Sequence, residues 1–576
     1  MIAVILLCSC GSGGTDDQWD FGKFDLHLDV VKAESNAMDT ATERAVDLMA
    51  ETGGPEVVAE LVSEVIVDVA YTEDQGPTDV VPEVAQPIGV PFSDGPYGTT
   101  PRSIAAAFSL PTLEGAWDFE EQWSGGKDSY IFAFYAKGYQ YSEQLWNSSA
   151  KELFQYAYPN AHYFFLSYTK DAAGDVANMK DKIWGELDEL GEAKALYWKD
   201  RIHFVPIGAY DLDNWISEML QSKGYFAFAI DRFQQIREVG LLTDIAGSNT
   251  AKLVHLNYEV RYFNFEWKRE ENLGVQEGVV EVPVFAEEYF GGNKTVEVDF
   301  PSAEEMAGFD TMEFDLTMNC PDHYDDNCGE WDYLSHVYLC DLDDPEKCDL
   351  EIGRWITTYH REGRWVTDVS QGLAFLQAGG AQRLRFDASG QSYVITFIVR
   401  LSNREKGVRP FAGQFLWGGG PFNLNYNPGK LPITFEVPEG TKRVDVYAFI
   451  TGHGFGSDVA NCAEFCNHTH HFTVNGSAEF VKSHPEAGTA YGCRDQIENG
   501  VVPNQFGTWP FGRGGWCPGL DVVPFQAEVT NDLVSGENTI EYKALFMGQD
   551  YAPKPAPNPS GFGGQLRVSS WLIYWK

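Results

Sequence analysis

The chain has 576 residues, too many for one hydrophobic core, and about three or four structural units are expected. Its 41 basic and 85 acidic residues leave a formal charge of -44, which repels phosphate backbones and anionic lipid surfaces and excludes nucleic acid as a partner. Aromatic residues make up 14% of the sequence, more than a disordered or fibrous chain carries, so most of it can bury substantial cores.

Met1 to Leu7 form a short apolar run that closes on Cys8-Ser9-Cys10. Residues 1–10 resemble the end of a bacterial lipoprotein signal, with Cys10 as the acylated position; a truncated ordinary signal peptide is the alternative. No stretch reaches the roughly 18–20 apolar residues a spanning helix needs, so membrane attachment is expected through lipid alone. The protein is expected to be exported and monomeric, placed at a bacterial outer membrane or cell surface, or secreted. Between Lys32 and Arg102 the only basic residue is Arg44, and residues 11–95 read as an acidic, disordered, extended tether.

From 96 to 275 apolar strands alternate with amphipathic helices. Tyr130–Tyr135 and His162–Tyr168 read as buried strands with a helix from Ser142 to Tyr156 between them. Helices carrying Met179, Ile183, Trp184 and Leu187, then Trp215, Ile216, Met219 and Leu220, are each followed by an apolar run. This is an α/β domain with a mostly parallel or mixed sheet. Its layout resembles a thioredoxin, but Lys137-Gly138-Tyr139-Gln140 stands where the CxxC should follow the first strand, which excludes disulfide exchange. A structural or partner-binding role is expected.

From about 276 the helical period gives way to short alternating runs such as Thr295–Phe300, Glu313–Met318, Tyr393–Arg400 and Lys442–Phe449, separated by Gly, Pro and Asn turns. That pattern predicts two antiparallel β-sandwiches side by side, so the chain is mainly β. Eight cysteines fall in this half: Cys320, Cys328, Cys340, Cys348, Cys462, Cys466, Cys493 and Cys517. Their even number in an exported half predicts disulfides, and closeness in sequence favours 320–328, 340–348, 462–466 and 493–517. Zinc is a weak competitor, because no CxxC pairs occur.

Three clusters carry chemistry. Cys328-Gly329-Glu330-Trp331-Asp332 sets two carboxylates around a tryptophan, and on a strand Glu330 and Asp332 would share a face. In Asn461-Cys462-Ala463-Glu464-Phe465-Cys466 a bridge would fix Glu464. Trp509-Pro510-Phe511-Gly512-Arg513-Gly514-Gly515-Trp516-Cys517 is an aromatic and arginine loop.

Together these clusters, with Glu351-Ile352-Gly353-Arg354-Trp355-Ile356-Thr357 and Thr451-Gly452-His453-Gly454, resemble the peptide-N-glycosidase F family in order and context over about residues 276–576. The resemblance implies two tandem eight-stranded jelly rolls, residues 276–410 and 411–576, with the site at their junction. It implies hydrolysis of the amide joining asparagine to the first N-acetylglucosamine of N-linked glycoproteins or glycopeptides, converting Asn to Asp. Position by position, Asp332 matches the principal catalytic aspartate, Glu464 the second carboxylate and Arg513 an arginine of the substrate pocket. Trp331, Glu330, Asp387, His453, Trp509 and Trp516 join the substrate-binding candidates, and no cofactor or metal is assigned. Amide hydrolysis needs a base for water, donors for the developing oxyanion and a proton for the leaving amine, which these residue types can supply.

Three departures stand beside the match: the loop Phe386-Asp387-Ala388-Ser389-Gly390 is short and offers only Asp387 in place of a third glutamate, His453 replaces a tryptophan, and Tyr333 replaces an arginine. The runner-up is a non-catalytic glycan- or protein-binding surface lipoprotein on the same scaffold. A third reading starts from His468, His470 and His471, since an HxH on a strand puts both imidazoles on one face, as in copper monooxygenases on related jelly rolls. No second histidine cluster or methionine is placed to complete it. Every catalytic candidate lies after residue 320, so the α/β domain is expected to be dispensable for chemistry.

Overall fold

The computed structural model describes residues 89–247, 249–344 and 346–576. Cys10, the signal and residues 11–88 of the expected tether lie outside the described residues. No helix among the described residues is long and apolar enough to cross a membrane.

Two sandwiches of antiparallel sheets form the C-terminal half, each built from eight strands of its own. In the first, Gly363–Asp368, Thr311–Asn319, Tyr393–Ser402 and Val280–Phe290 lie side by side and face a sheet of Leu350–Ile356, Leu334–Leu339, Gly379–Asp387 and Asn293–Ser302. The period of two explains the arrangement: Tyr393, Ile395, Phe397, Val399 and Leu401 all turn inward and are at most 1% exposed. In the second, Pro410–Pro421, Gln565–Trp575, Arg443–His453 and Phe525–Glu528 oppose Ile433–Glu436, Glu537–Phe546, His468–Val474 and Ala478–Lys482.

The sandwiches are spliced as well as packed. Leu520–Asp521, from the segment that leads back into the second sandwich, pairs with Trp355 and Ile356 at the edge of the first. Arg354 grips Glu351 through Nε and Nη2 at 2.7 and 2.8 Å while its Nη1 donates to Thr451 Oγ1 at 2.9 Å and to the Arg567 carbonyl at 2.8 Å, both in the second sandwich. Burial would raise the Glu351 carboxyl, but Arg354 and His336 outweigh it and hold it down at about 2.

N-terminal to the sandwiches is a mixed five-stranded sheet in the order Ile202–Gly208, Ala161–Ser167, Ser129–Tyr135, Ala227–Ile230, Ile236–Arg237. The first three strands are parallel and the last two antiparallel, the layout read from the sequence. The helix expected over Ser142–Tyr156 is instead two, Gln140–Asn147 and Ala150–Tyr156, because Ser149 leaves helical geometry and its side chain caps the second by accepting from the Glu152 N–H.

The helix Leu256–Gly274 was not anticipated. Its buried face is interrupted by Glu259 and Glu266, 0% and 3% exposed, which hides the apolar stripe from a hydropathy pattern. Each has its cations: Glu266 takes Arg237 at 2.6 Å, and Glu259 takes Arg361 of the first sandwich at 2.6 Å. One continuous apolar core consequently runs from Val260 and Phe263 of this helix into Ile352, Trp365 and Trp509 of the C-terminal half.

Candidate active site

All four expected disulfides form: Cys320–Cys328, Cys340–Cys348, Cys462–Cys466 and Cys493–Cys517. Three of them pin the loops that carry the candidate residues. Glu330–Asp332 is not in a strand, which begins only at Leu334, so the expected shared face does not exist. Glu330 is exposed, and Asp332 turns inward. The loop is held from below: the Trp331 N–H donates to Gln391 Oε1 at 2.7 Å and the Tyr333 N–H to Thr357 Oγ1 at 2.8 Å. Gly329 makes this possible, since a Cβ there would stand 2.4 Å from Gln391 Cδ.

Asp332, Arg513 and Glu464 come together from three loops. Arg513 Nη2 lies 3.4 Å from Asp332 Oδ2, and Arg513 Nε lies 3.5 Å from Glu464 Oε1. The guanidinium is 1% exposed, whereas the Asp332 and Glu464 side chains keep 16% and 9%. Arg513 was expected to touch substrate. Instead it lies beneath the carboxylates, donating Nη1 to the Thr508 and Phe511 carbonyls at 3.0 Å and Nη2 to Thr508 Oγ1 at 2.6 Å, with Trp516 under its face at 4.8 Å. Such a fixed fork positions both acids. Glu464 is fixed further by the Gly454 N–H donating to Oε2 at 2.8 Å and the Gly514 N–H donating to its carbonyl at 2.7 Å.

Burial pushes the Asp332 carboxyl up, and Arg513 and the Tyr359 hydroxyl pull it only part of the way back. A carboxylate raised in this way is a better proton acceptor, which suits a general base. Tyr359, also 3.5 Å from Arg513 Nη2, escaped the sequence reading. Nothing in Thr357-Thr358-Tyr359-His360 marks it, because only the fold brings it to the cluster.

A sequence profile described as peptide-N-glycosidase F, C terminal, matches residues 422–573. Peptide-N(4)-(N-acetyl-beta-D-glucosaminyl)asparagine amidase F of Elizabethkingia miricola is 25% identical over 279 residues, 45% of this chain and 73% of that protein. The C-terminal half is related to the peptide-N-glycosidase F family. A solved structure of the same named amidase is 21% identical, with 52% of this chain and 96% of that one covered at a TM-score of 0.41. For a structure of PNGF-II the figures are 15%, 53%, 67% and 0.36.

Of the other residues that the peptide-N-glycosidase F resemblance singled out, Trp509 and Trp516 are not open sugar platforms. Trp509 is 1% exposed and meets Tyr258 of the helix Leu256–Gly274 edge-on, and Trp516, 5% exposed, stacks on His453 and donates its indole N–H to the Gly452 carbonyl. His453 is therefore a packing partner one layer behind the carboxylates, with Nε2 2.8 Å from Thr451 Oγ1. Asp387 makes no hydrogen bond to Asp332; it accepts from the Ser389 N–H in its own turn. Trp331 is half-buried beside Asp332.

The histidine run divides by strand period. His471 faces outward, near Thr469 and Glu479, while His468 and His470 face inward and are fully buried. A third buried imidazole, His484, joins them, and one ligand atom from each lies within 4.8 Å of the others. Sequence spacing gave no reason to add His484 to the pair.

Proposed function

We propose that the C-terminal half hydrolyses the amide between asparagine and the first N-acetylglucosamine of N-linked glycoproteins or glycopeptides. The observation that carries this reading is the convergence of Asp332 and Glu464 on one buried arginine, on loops pinned by disulfides, in a chain half related to peptide-N-glycosidase F. Asp332 takes a proton from water as the oxygen adds to the asparagine carbonyl carbon. The C–N bond then breaks, the glycosylamine leaves with a proton, and the peptide keeps an aspartate. Glu464 holds sugar or water, and the Arg513 guanidinium, 3.4 and 3.5 Å from the two carboxylates, orients both acids. We also read the chain as an exported lipoprotein acylated at Cys10, with residues 96–275, 276–410 and 411–576 as its folded units.

The test is to incubate the full chain with a denatured N-glycoprotein in isotope-labelled water. Conversion of glycosylated Asn to labelled Asp, with release of intact glycan, is expected. Asp387, the sole carboxylate in place of a third glutamate, bonds within its own turn, which favours a second reading, a glycan-binding module, and binding without any Asn-to-Asp conversion would establish it in place of the amidase.

A further inference from the structure

The second sandwich holds a group of side chains that the proposed hydrolysis does not use. Along His468–Val474 the inward positions are His468, His470, Phe472 and Val474, all 0% exposed. Two imidazoles thus replace apolar residues at the end of the core nearest the Cys462–Cys466 loop. His484 follows the neighbouring strand Ala478–Lys482, which pairs with the same strand through His470 and Lys482.

Hydrogen bonding sets one imidazole as a ligand. His470 Nδ1 is 2.7 Å from the Tyr542 hydroxyl, which is 3.1 Å from the Tyr426 hydroxyl. With Nδ1 donating to Tyr542 and Tyr542 donating to Tyr426, His470 Nε2 keeps its lone pair and points into the cluster, 2.7 Å from His468 Nδ1. An outer hydroxyl that fixes tautomer and ring orientation is the usual support of a metal-bound histidine. His484 adds an independent sign: it is 0% exposed, and neither ring nitrogen has a hydrogen-bond partner. Leaving a buried polar atom unpaired is costly, and a cation among three imidazoles would give one of those two nitrogens a partner. The nearest carboxylate is Glu486, with Oε1 3.9 Å from His484 Nδ1.

We propose that His468, His470 and His484 form a binding site for one divalent cation of the zinc class, with Glu486 or water as the fourth ligand. Three imidazoles suit zinc and the other late first-row metals, and ligand atoms about 3.3 Å apart would satisfy a tetrahedral centre with bonds of about 2.0–2.1 Å. Reaching that geometry requires the span of up to 4.8 Å to shorten and the 2.7 Å His468–His470 contact to open.

The role of the ion is structural. A Cβ at Gly452 would stand 2.5 Å from His468 Nε2, and one at Gly514 would stand 2.4 Å from it. His468 is therefore clamped between the neighbour of His453 and the neighbour of Arg513. A metal there fixes the floor under both site loops without meeting substrate.

The full chain, stripped with chelator and dialysed against Zn2+, should retain one equivalent by elemental analysis and melt several degrees higher than the stripped protein. Co2+ in its place should give the visible absorption of a tetrahedral centre. His470→Ala and His484→Gln should each lose the equivalent and the cobalt spectrum, while His471→Ala keeps both. Should either inward variant fail to fold, the wild-type measurements still decide. Folded wild type with no stoichiometric Zn2+, no cobalt spectrum and no change in melting would overturn the proposal, as would full retention of metal by a folded His470→Ala/His484→Gln double variant.

Discussion

Glu259→Gln should destabilise the whole folded chain, not the α/β part alone. Glu259 is fully buried, accepts from Arg361 Nη1 at 2.6 Å and from Asn504 Nδ2 at 2.8 Å, and so ties the helix Leu256–Gly274 to two segments of the C-terminal half. Arg361 also donates to the Pro503 carbonyl at 2.6 Å and the Glu238 carbonyl at 2.9 Å and lies 3.2 Å from Asp325. Removing one partner of a buried ion pair costs about 3–5 kcal/mol, because the other charge remains without its counter-ion. Asp325 and the glutamine oxygen retain part of the environment, which places the loss near the lower figure, about 3 kcal/mol. Glu259→Met/Arg361→Met should recover much of it, since apolar replacement removes both desolvation costs together. Urea unfolding followed by tryptophan fluorescence and by far-ultraviolet circular dichroism measures both. A loss under about 1 kcal/mol for Glu259→Gln, or an α/β transition that precedes and leaves a folded C-terminal half, would refute the reasoning. The same contacts bear on the folding of a 276–576 fragment, the form in which residues 96–275 were expected to be dispensable for chemistry: it would expose part of the shared core and take Glu259 from Arg361, leaving Asp325 as its carboxylate partner.

Four further outcomes are expected. Asp332→Asn should lower kcat by about 10²–10⁴ with no fall in Tm, because the amide cannot accept the proton from water, while burial already disfavours the Asp332 charge and Arg513 keeps Glu464 as its counter-ion; turnover within tenfold of wild type removes Asp332 as the base. Arg513→Met should move the acidic limb of the pH–rate profile upward by about 1–3 units, since the arginine is a lowering influence on a carboxyl already raised by burial; an unchanged limb counts against the assignment. Opening Cys493–Cys517, which closes 24 residues, should cost about 3 kcal/mol and loosen the Arg513 loop, measurable by denaturation of the Cys493→Ser/Cys517→Ser variant. Asp521 is pushed up to about 6 by burial, with the Thr367 hydroxyl opposing. The folded chain therefore binds this proton more tightly than the unfolded one, and the contribution of Asp521 to stability is fully present below about pH 4 and is lost as pH rises through about 6. Asp521→Asn should accordingly exceed wild type by up to about 2 kcal/mol above that range, after solvent screening, and match it below; equal curves at every pH contradict the account.

Sequence alone determined what local periodicity and local chemistry encode. Alternation such as Tyr393–Leu401 specifies a strand with one buried face whatever it packs against, and cysteines eight or fewer residues apart, as at 320–328 and 462–466, cannot easily pair elsewhere. The order of the EWD, CAEFC and GWCPG segments was likewise enough to bring Asp332, Glu464 and Arg513 into one hypothesis. Tertiary structure decided the rest, because burial and partners are properties of distant segments. It alone turned Trp509 from a sugar platform into a neighbour of Tyr258, sank Arg513 under the acids it was expected to accompany, and brought in Tyr359 and His484. It alone made Glu259 a buried partner of Arg361, because a carboxylate on an otherwise apolar helix face reads as solvated until the cation that neutralises it, 102 residues away, is in place.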